Sequence, residues 1–278
     1  MNQAKNMQLS WSQLKLIAYI TMLIDHTAHV LLQNGIMVTY PECSPYVKPV
    51  MILMRGIGRI AFPIFSFLLV EGLIHTRSRV KYLLRILLLA IISEPVFDYA
   101  NNGVFYYADY QNVFITLLIA ATTMCVLSLI EQNDRLNKNI YVLYVLQGIV
   151  VIAGCFLAEF LKVDYGMSGI IIPLIMGVIR RLKLDSSSAF AIYFVATIIA
   201  RVIRNIVNAP TYILNPGMWY EKYLMYAINN LQIFAILALI PIFMYDGTKG
   251  KPMPKAVYYL FYPVHLSILG LICYQLIR

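Results

Sequence analysis

The sequence predicts an all-α fold: a polytopic transmembrane helical bundle that forms a single domain over residues 1–278. Of the 278 residues, 60% are hydrophobic and only 13% are charged, and the mean hydropathy is +0.72. A soluble domain needs a more polar surface than this composition supplies. The apolar residues also fall into runs of about 17–25, the length that a helix needs to cross a bilayer.

These runs predict about nine membrane spans. The first run carries Asp25 and His26 near its middle and has no small-residue cleavage site, so we interpret it as a retained helix and not as a signal peptide. Pro63 and Pro95 interrupt two later runs, and we expect these helices to break there and to line a central cavity. The predicted spans are 14–33, 50–74, 81–100, 112–131, 140–160, 167–182, 189–208, 223–245 and 256–277.

Basic residues concentrate in every second connection between the predicted spans. Lys and Arg accumulate on the cytoplasmic side of membrane proteins, so this asymmetry predicts an inner-membrane protein with its N-terminus inside and its C-terminus outside. It also accounts for much of the net charge of +9, which therefore does not indicate a nucleic-acid partner. The segments predicted to be cytoplasmic contain Lys5, Arg77, Arg79, Lys81, Arg135, Lys138, Arg180, Arg181, Lys183, Lys249, Lys251 and Lys255. The segments predicted to lie outside contain Lys48, Lys162, Lys222 and Arg278.

The four cysteines show no CxxC motif and no Cys/His spacing typical of metal sites. Cys43 lies in a predicted loop, and the other three lie inside apolar runs, where cysteine packs as a small hydrophobic residue. We therefore predict neither a disulfide framework nor a bound metal.

Charged side chains inside the predicted spans indicate a common polar interior, because each costs several kcal/mol in lipid unless it is paired or faces water. Arg55 and Arg59 share one helix face, Arg201 and Arg204 form a second stripe, and Tyr262 with His265 belongs to a third. The excess of Arg suits an anionic ligand. The alternatives are that the charges only pair to fix helix packing and that the tyrosines only pack. The other residues of this kind are Lys15, Asp25, Glu71, Arg85, Glu94 and Asp98.

His26 is the candidate general base of this interior. A buried neutral imidazole accepts protons, and Asp25 or another carboxylate can orient the ring and stabilise the imidazolium that forms. His29 lies one turn further on and is a candidate supporting partner. The alternative is a neutral histidine that is only hydrogen-bonded across a helix interface.

The chain resembles the TraX family of membrane proteins, named for the pilin N-acetyltransferase of conjugative plasmids. The resemblance lies in LKLIAYITMLIDH, RIAFPIFSFLLVEGLIHTRSRVKYLLRILLLAIISEPVFD, NVFITLL, DYGMSGIIIPLI and FYPVHL. TraX-like proteins are in turn similar to the acyltransferase-3 family and to the lysosomal glucosaminide N-acetyltransferase, which move acetyl groups from cytosolic acetyl-CoA to acceptors across a membrane. In the acyltransferase-3 pattern an Arg precedes the first-helix His by ten intervening residues, and here Lys15 has that spacing from His26.

The resemblance implies a transmembrane acetyltransferase that uses acetyl-CoA and acetylates a hydroxyl or amine of an acceptor outside the cytoplasm or in the membrane. His26 would be the base, acting directly or through an acetyl-enzyme, with Asp25 beside it and Arg59 or Asn112 as oxyanion stabiliser. The predicted contacts to CoA are Lys15, Arg77, Arg79, Lys81 and Arg85. The predicted contacts to the acceptor are His29, Arg55, Glu71, Glu94, Arg201, Arg204, Tyr262 and His265.

Two other functions remain open at this stage. A secondary transporter of an organic anion, proton-coupled through Asp25, His26 and Glu71, would also use broken helices and charges at the bilayer midplane. The absence of a repeated half in the sequence counts against it. An assembly or scaffold subunit would leave the buried charges unexplained.

Overall fold

The computed structural model describes residues 8–199 and 231–278, and within these ranges the chain is helical and contains no β-strand. The all-α prediction is therefore confirmed for this part of the chain. The helices are α1 (Trp11–His26), α2 (Met37–Thr39), α3 (Ser44–Gly58), α4 (Ala61–His75), α5 (Arg79–Asn102), α6 (Val113–Glu131), α7 (Asp134–Asn137), α8 (Ile140–Phe160), α9 (Ser168–Leu182), α10 (Ser186–Ile199), α11 (Leu239–Phe243) and α12 (Lys255–Leu271).

Five helical segments of the described chain are long and apolar enough to cross a membrane, so the prediction of nine spans is not confirmed. α5 has 24 residues, but it carries charged residues near both ends. α9 has 15 residues and α11 continues a short 3₁₀ segment, so both are short for a crossing. The five segments are Trp11–Thr39, Pro41–His75, Val113–Glu131, Ile140–Phe160 and Ala256–Ile277.

The helix irregularities coincide with the predicted breaks only near Pro63. α1 changes into a π-helix at Thr27, directly after His26, and π-helical turns are frequent at functional sites. The break before α4 falls at Arg59 and Ile60; Pro63 then lies in the first turn of α4, where an amide proton has no helical partner in any case. α5 continues through Pro95, so the break expected at that residue is wrong.

The described helices run between two ends of the bundle, which we call the basic end and the far end. The basic end contains residues 8–15, 72–85 and 244–259; there the Trp11 amide donates to the Thr248 carbonyl at 2.8 Å. The far end contains residues 33–34, 99–112, 159–167 and 274–278; there Asn34 donates to the Asn101 carbonyl at 3.2 Å. The described chain therefore starts at one end of the bundle and finishes at the other.

Candidate functional site

A cavity of about 660 Å³ lies between α1, α3, α4, α5, α6 and α12. Its volume falls within the range of small-molecule sites. Along α1 and its π-helical extension, the lining residues run from Trp11 to Gln33. At about 1.5 Å per helical residue this is a length of roughly 30 Å, close to the thickness of the hydrocarbon core of a bilayer. The cavity thus extends along the bundle from the basic end towards the far end.

His26 lines this cavity and forms a pair with His265 of α12, although the two are far apart in sequence. His26 Nδ1 and His265 Nε2 are 2.6 Å apart, and His265 Nδ1 lies 2.6 Å from the carbonyl oxygen of Phe261. Tyr262 lines the cavity and packs edge-on against both imidazoles, with ring centroids 5.7 Å away in each case. We call His26 and His265 the histidine pair.

Asp25 is bound by two guanidinium groups and not by the neighbouring histidine. Arg55 Nη1 lies 2.6 Å from Asp25 Oδ2, and Arg59 Nη2 lies 2.8 Å from Asp25 Oδ1. Gly58 makes this approach possible, since a Cβ atom at that position would overlap the Asp25 carboxylate. The expectation that Asp25 orients the His26 ring is therefore corrected: its two oxygens are occupied by arginine, and His265 is the side chain on His26 Nδ1.

Two of the five cations predicted to contact CoA line the cavity at the basic end. Lys15 Nζ lies 3.9 Å from the centroid of the Tyr258 ring, a cation–π distance, and Arg85 belongs to the same stretch of the lining. The other three do not line the cavity; they are Arg77, Arg79 and Lys81.

The far end of the cavity contains polar residues that sequence reasoning missed as site residues. Tyr110, Asp164 and Tyr165 all belong to the lining, and the Tyr110 hydroxyl donates to Asp164 Oδ1 at 2.7 Å. Tyr165 stacks on Phe62 with ring centroids 3.9 Å apart. The available signal was the DYG stretch between two apolar runs, which forms a tight turn in which Tyr165 and Gly166 have φ of 68° and 50°.

Asn112 and Glu94 form a helix cap outside the cavity lining. Asn112 Oδ1 accepts from the Phe114 amide at 2.8 Å, and its Nδ2 donates to the Ala90 carbonyl at 2.9 Å and to Glu94 Oε2. Because these bonds engage both the oxygen and the nitrogen of the side-chain amide, the structure does not support the oxyanion role predicted for Asn112. Glu94 correspondingly holds the start of α6 and does not face a ligand in the cavity.

The remaining predicted residues divide into three groups. His29 lines the cavity, where its Nδ1 lies 3.2 Å from Gln33 Oε1. Glu71 does not line it and forms an ion pair with Arg180. Arg201 and Arg204 lie outside the described residues. Among residues 8–199 and 231–278, no group of three or more His, Cys, Asp or Glu side chains is placed to hold a metal ion.

Comparison with known proteins identifies the family. The family model described as TraX protein matches residues 10–273. A protein of Dichelobacter nodosus described as "Probable fimbrial assembly protein FimC, serogroup H1" is 28% identical over 276 residues, which cover 96% of each chain. No solved structure matches the chain. Because the family match extends over nearly the whole sequence, the chain belongs to the TraX family.

Proposed function

We propose that this protein is a membrane-embedded acetyltransferase that moves an acetyl group from cytosolic acetyl-CoA to a hydroxyl or amine of an acceptor beyond the cytoplasmic face. The observation that carries the proposal is His26, which is paired with His265 and lies on the wall of a cavity about as long as a bilayer is thick. One such cavity can receive a donor from one end and an acceptor from the other, with a base between them.

In the proposed reaction His26 acts as general base. As the acceptor nitrogen or oxygen attacks the thioester carbonyl carbon, its proton passes to His26 Nε2, and a bond from the acceptor to that carbon forms. The carbon–sulfur bond of the tetrahedral intermediate then breaks. The departing thiolate takes the proton back from His26, which returns to its neutral form and leaves the acetylated acceptor and CoA.

Arg59 is the candidate stabiliser of the oxyanion. It lines the cavity, and its Asp25 contact uses Nη2 while its Nε donates to the Arg55 carbonyl at 3.2 Å. A guanidinium carries five N–H donors, so Nη1 remains for the developing charge on the thioester oxygen. Asp25 supports this role by holding Arg59 and Arg55 in place.

The basic end is the proposed entry of acetyl-CoA, with Lys15 and Arg85 as contacts to its phosphates. This assignment requires the basic end to face the cytoplasm, which is the orientation that the distribution of Lys and Arg predicts. The acceptor would then reach the cavity through the far end, past Tyr110, Asp164 and Tyr165.

The acceptor class follows from two names. The family takes its name from the pilin N-acetyltransferase given with the resemblance above, and the relative from D. nodosus is described as a "Probable fimbrial assembly protein". We therefore infer that a surface-fibre subunit is the first acceptor to test. A lipid-linked or surface glycan is the second.

The proposal predicts that His26→Ala abolishes most of the acetyl transfer. Removal of a positioned general base lowers a rate by about 10²–10⁴-fold. The measurement is release of CoA from acetyl-CoA by purified protein in detergent, with the acceptor or, in its absence, with water. His75→Ala is the matched control, because His75 is exposed and does not line the cavity.

Wild-type turnover in His26→Ala would remove this residue from the mechanism. A native protein that leaves the thioester intact but carries organic anions into liposomes would replace the acetyltransferase with the transporter.

A further inference from the structure

The carbonyl of Phe261 fixes the proton position on the second imidazole of the histidine pair. A carbonyl oxygen only accepts hydrogen bonds, so the 2.6 Å contact with His265 Nδ1 requires a proton on that nitrogen. A neutral imidazole carries one N–H, and His265 Nε2 is therefore an acceptor. The tautomer of His265 follows from its own helix, since the partner carbonyl lies one turn earlier in α12.

The proton position on the first imidazole follows from that on the second. His265 Nε2 accepts, so the proton in its 2.6 Å contact belongs to His26 Nδ1. Neutral His26 then carries its lone pair on Nε2, the nitrogen that the proposed reaction uses. The two ring planes are within 5° of parallel and the ring centroids are 4.9 Å apart, which is compatible with rings that meet nitrogen to nitrogen in line.

The other polar side chains near His26 have different partners. Asp25 is bound to Arg55 and Arg59, and His29 contacts Gln33. Within the described residues, His265 is the side chain that hydrogen-bonds His26 Nδ1. We propose that His265 is a positioning residue that holds His26 in the tautomer with its proton on Nδ1, and not a contact to the acceptor. The expected effect on the rate rests on the proposed function, whereas the assignment of the His26 tautomer does not.

The geometry also gives the pair a route for spreading positive charge. When His26 Nε2 takes a proton, the Nδ1 proton can move towards His265 Nε2, and the Phe261 carbonyl stabilises the imidazolium that results. Among the described residues no carboxylate hydrogen-bonds either imidazole, so the proton shift runs along the two imidazoles and a carbonyl.

The test compares His265→Gln with His265→Leu. Glutamine offers an amide oxygen that can accept from His26 Nδ1, whereas leucine fills the space without an acceptor. Ser267→Ala is the matched control on the same helix, because the Ser267 hydroxyl only donates to the Pro263 carbonyl within α12. The first readout is ¹⁵N NMR of histidine-labelled protein, in which the four histidines are assigned by single substitutions.

We expect His26 to be protonated at Nδ1 in the wild type, in His265→Gln and in Ser267→Ala, and to lose this preference in His265→Leu. We also expect His265→Leu to lower kcat about tenfold or more with little change in KM and to shift the pH profile of kcat, while His265→Gln recovers most of the rate. A wild-type His26 protonated at Nε2, or an unchanged tautomer and kcat in His265→Leu, would overturn the proposal.

The two readouts separate the failure of this inference from the failure of the proposed function. The tautomer is observed without turnover, so a protein with Nδ1-protonated His26 and no acetyl transfer keeps the positioning role and loses the reaction. If His265→Leu does not fold, the wild-type spectrum and the His265→Gln variant decide the question.

Discussion

At the scale of single residues, the cavity separates its cations into two sets with different tasks. Arg55 and Arg59 are bound to Asp25 in its middle, whereas Lys15 and Arg85 line the basic end without an ion-pair partner among the described residues. The Asp25 carboxylate fixes the positions of both guanidinium groups. Removal of one partner from a buried ion pair typically lowers the free energy of unfolding by about 3–5 kcal/mol. The cations at the basic end are therefore free to bind the phosphates of a ligand, whereas Arg59 keeps only Nη1 for the proposed oxyanion.

The double substitution of Lys15 and Arg85 by Gln should therefore weaken the binding of acetyl-CoA. A hydrogen bond to a charged group contributes about 1.5–3 kcal/mol, so loss of both contacts should raise Kd by roughly a hundredfold or more. Binding is measured by calorimetry with the purified protein. Arg77→Gln with Lys81→Gln removes the same charge outside the cavity lining and is the matched control. Equal losses in the two double variants would show that the basic end acts through general charge alone.

Sequence identifies the polar residues of the cavity better than it identifies their partners. Asp25 and His26 stand out because polar groups are rare in a membrane span, and this holds for any packing of the helices. The contact between His26 and His265 depends on how α1 and α12 meet, which neither segment specifies by itself. The sequence did not identify Asp164 as a site residue because it lies in a turn between spans, where charged residues are common.

At the scale of elements, α1 and α3 approach closely at Gly58, whose position has no room for a Cβ beside Asp25. Gly58→Ala should lower the free energy of unfolding by about 1–3 kcal/mol, as overpacking of a tight contact does. Gly148→Ala is the matched control: apart from its chain neighbours and the backbone of its own helix, no described atom lies within 4 Å of its Cβ position, and alanine favours a helix by about 0.5–1 kcal/mol. Thermal unfolding in detergent measures both. A Gly58→Ala protein as stable as Gly148→Ala would contradict the close contact.

Helix boundaries are only partly readable from sequence because proline acts according to its place in a helix. Pro63 lies in the first turn of α4, where its missing N–H costs little, and Pro95 lies within α5, where the helix continues despite the lost hydrogen bond. Long apolar runs such as α6 and α8 are predicted well, since length and composition alone decide them. Short or charged helices such as α9 and α5 depend on their neighbours.

At the scale of the whole molecule, the described helices place the site between two chemically different ends. Lys15 and Arg85 belong to the basic end, Tyr110 and Asp164 to the far end, and the histidine pair lies between them. In the proposed function, a single cavity of this length would let the acetyl group cross a bilayer without movement of the whole donor through it. The central claim of the proposal is directional: the donor would enter at the cytoplasmic face, and the acetyl group alone would reach the other side.

Acetyl transfer into inverted membrane vesicles tests this claim most directly. Acetyl-CoA labelled in the acetyl group is added outside the vesicles, where the cytoplasmic face is exposed. The measurement is the amount of label that becomes covalently bound and is protected from external protease. We predict protected label with the wild type and with His75→Ala, with CoA remaining outside, and about 10²–10⁴-fold slower labelling with His26→Ala. Protected label that is equal in His26→Ala, or label that enters only as a free anion, would contradict the account.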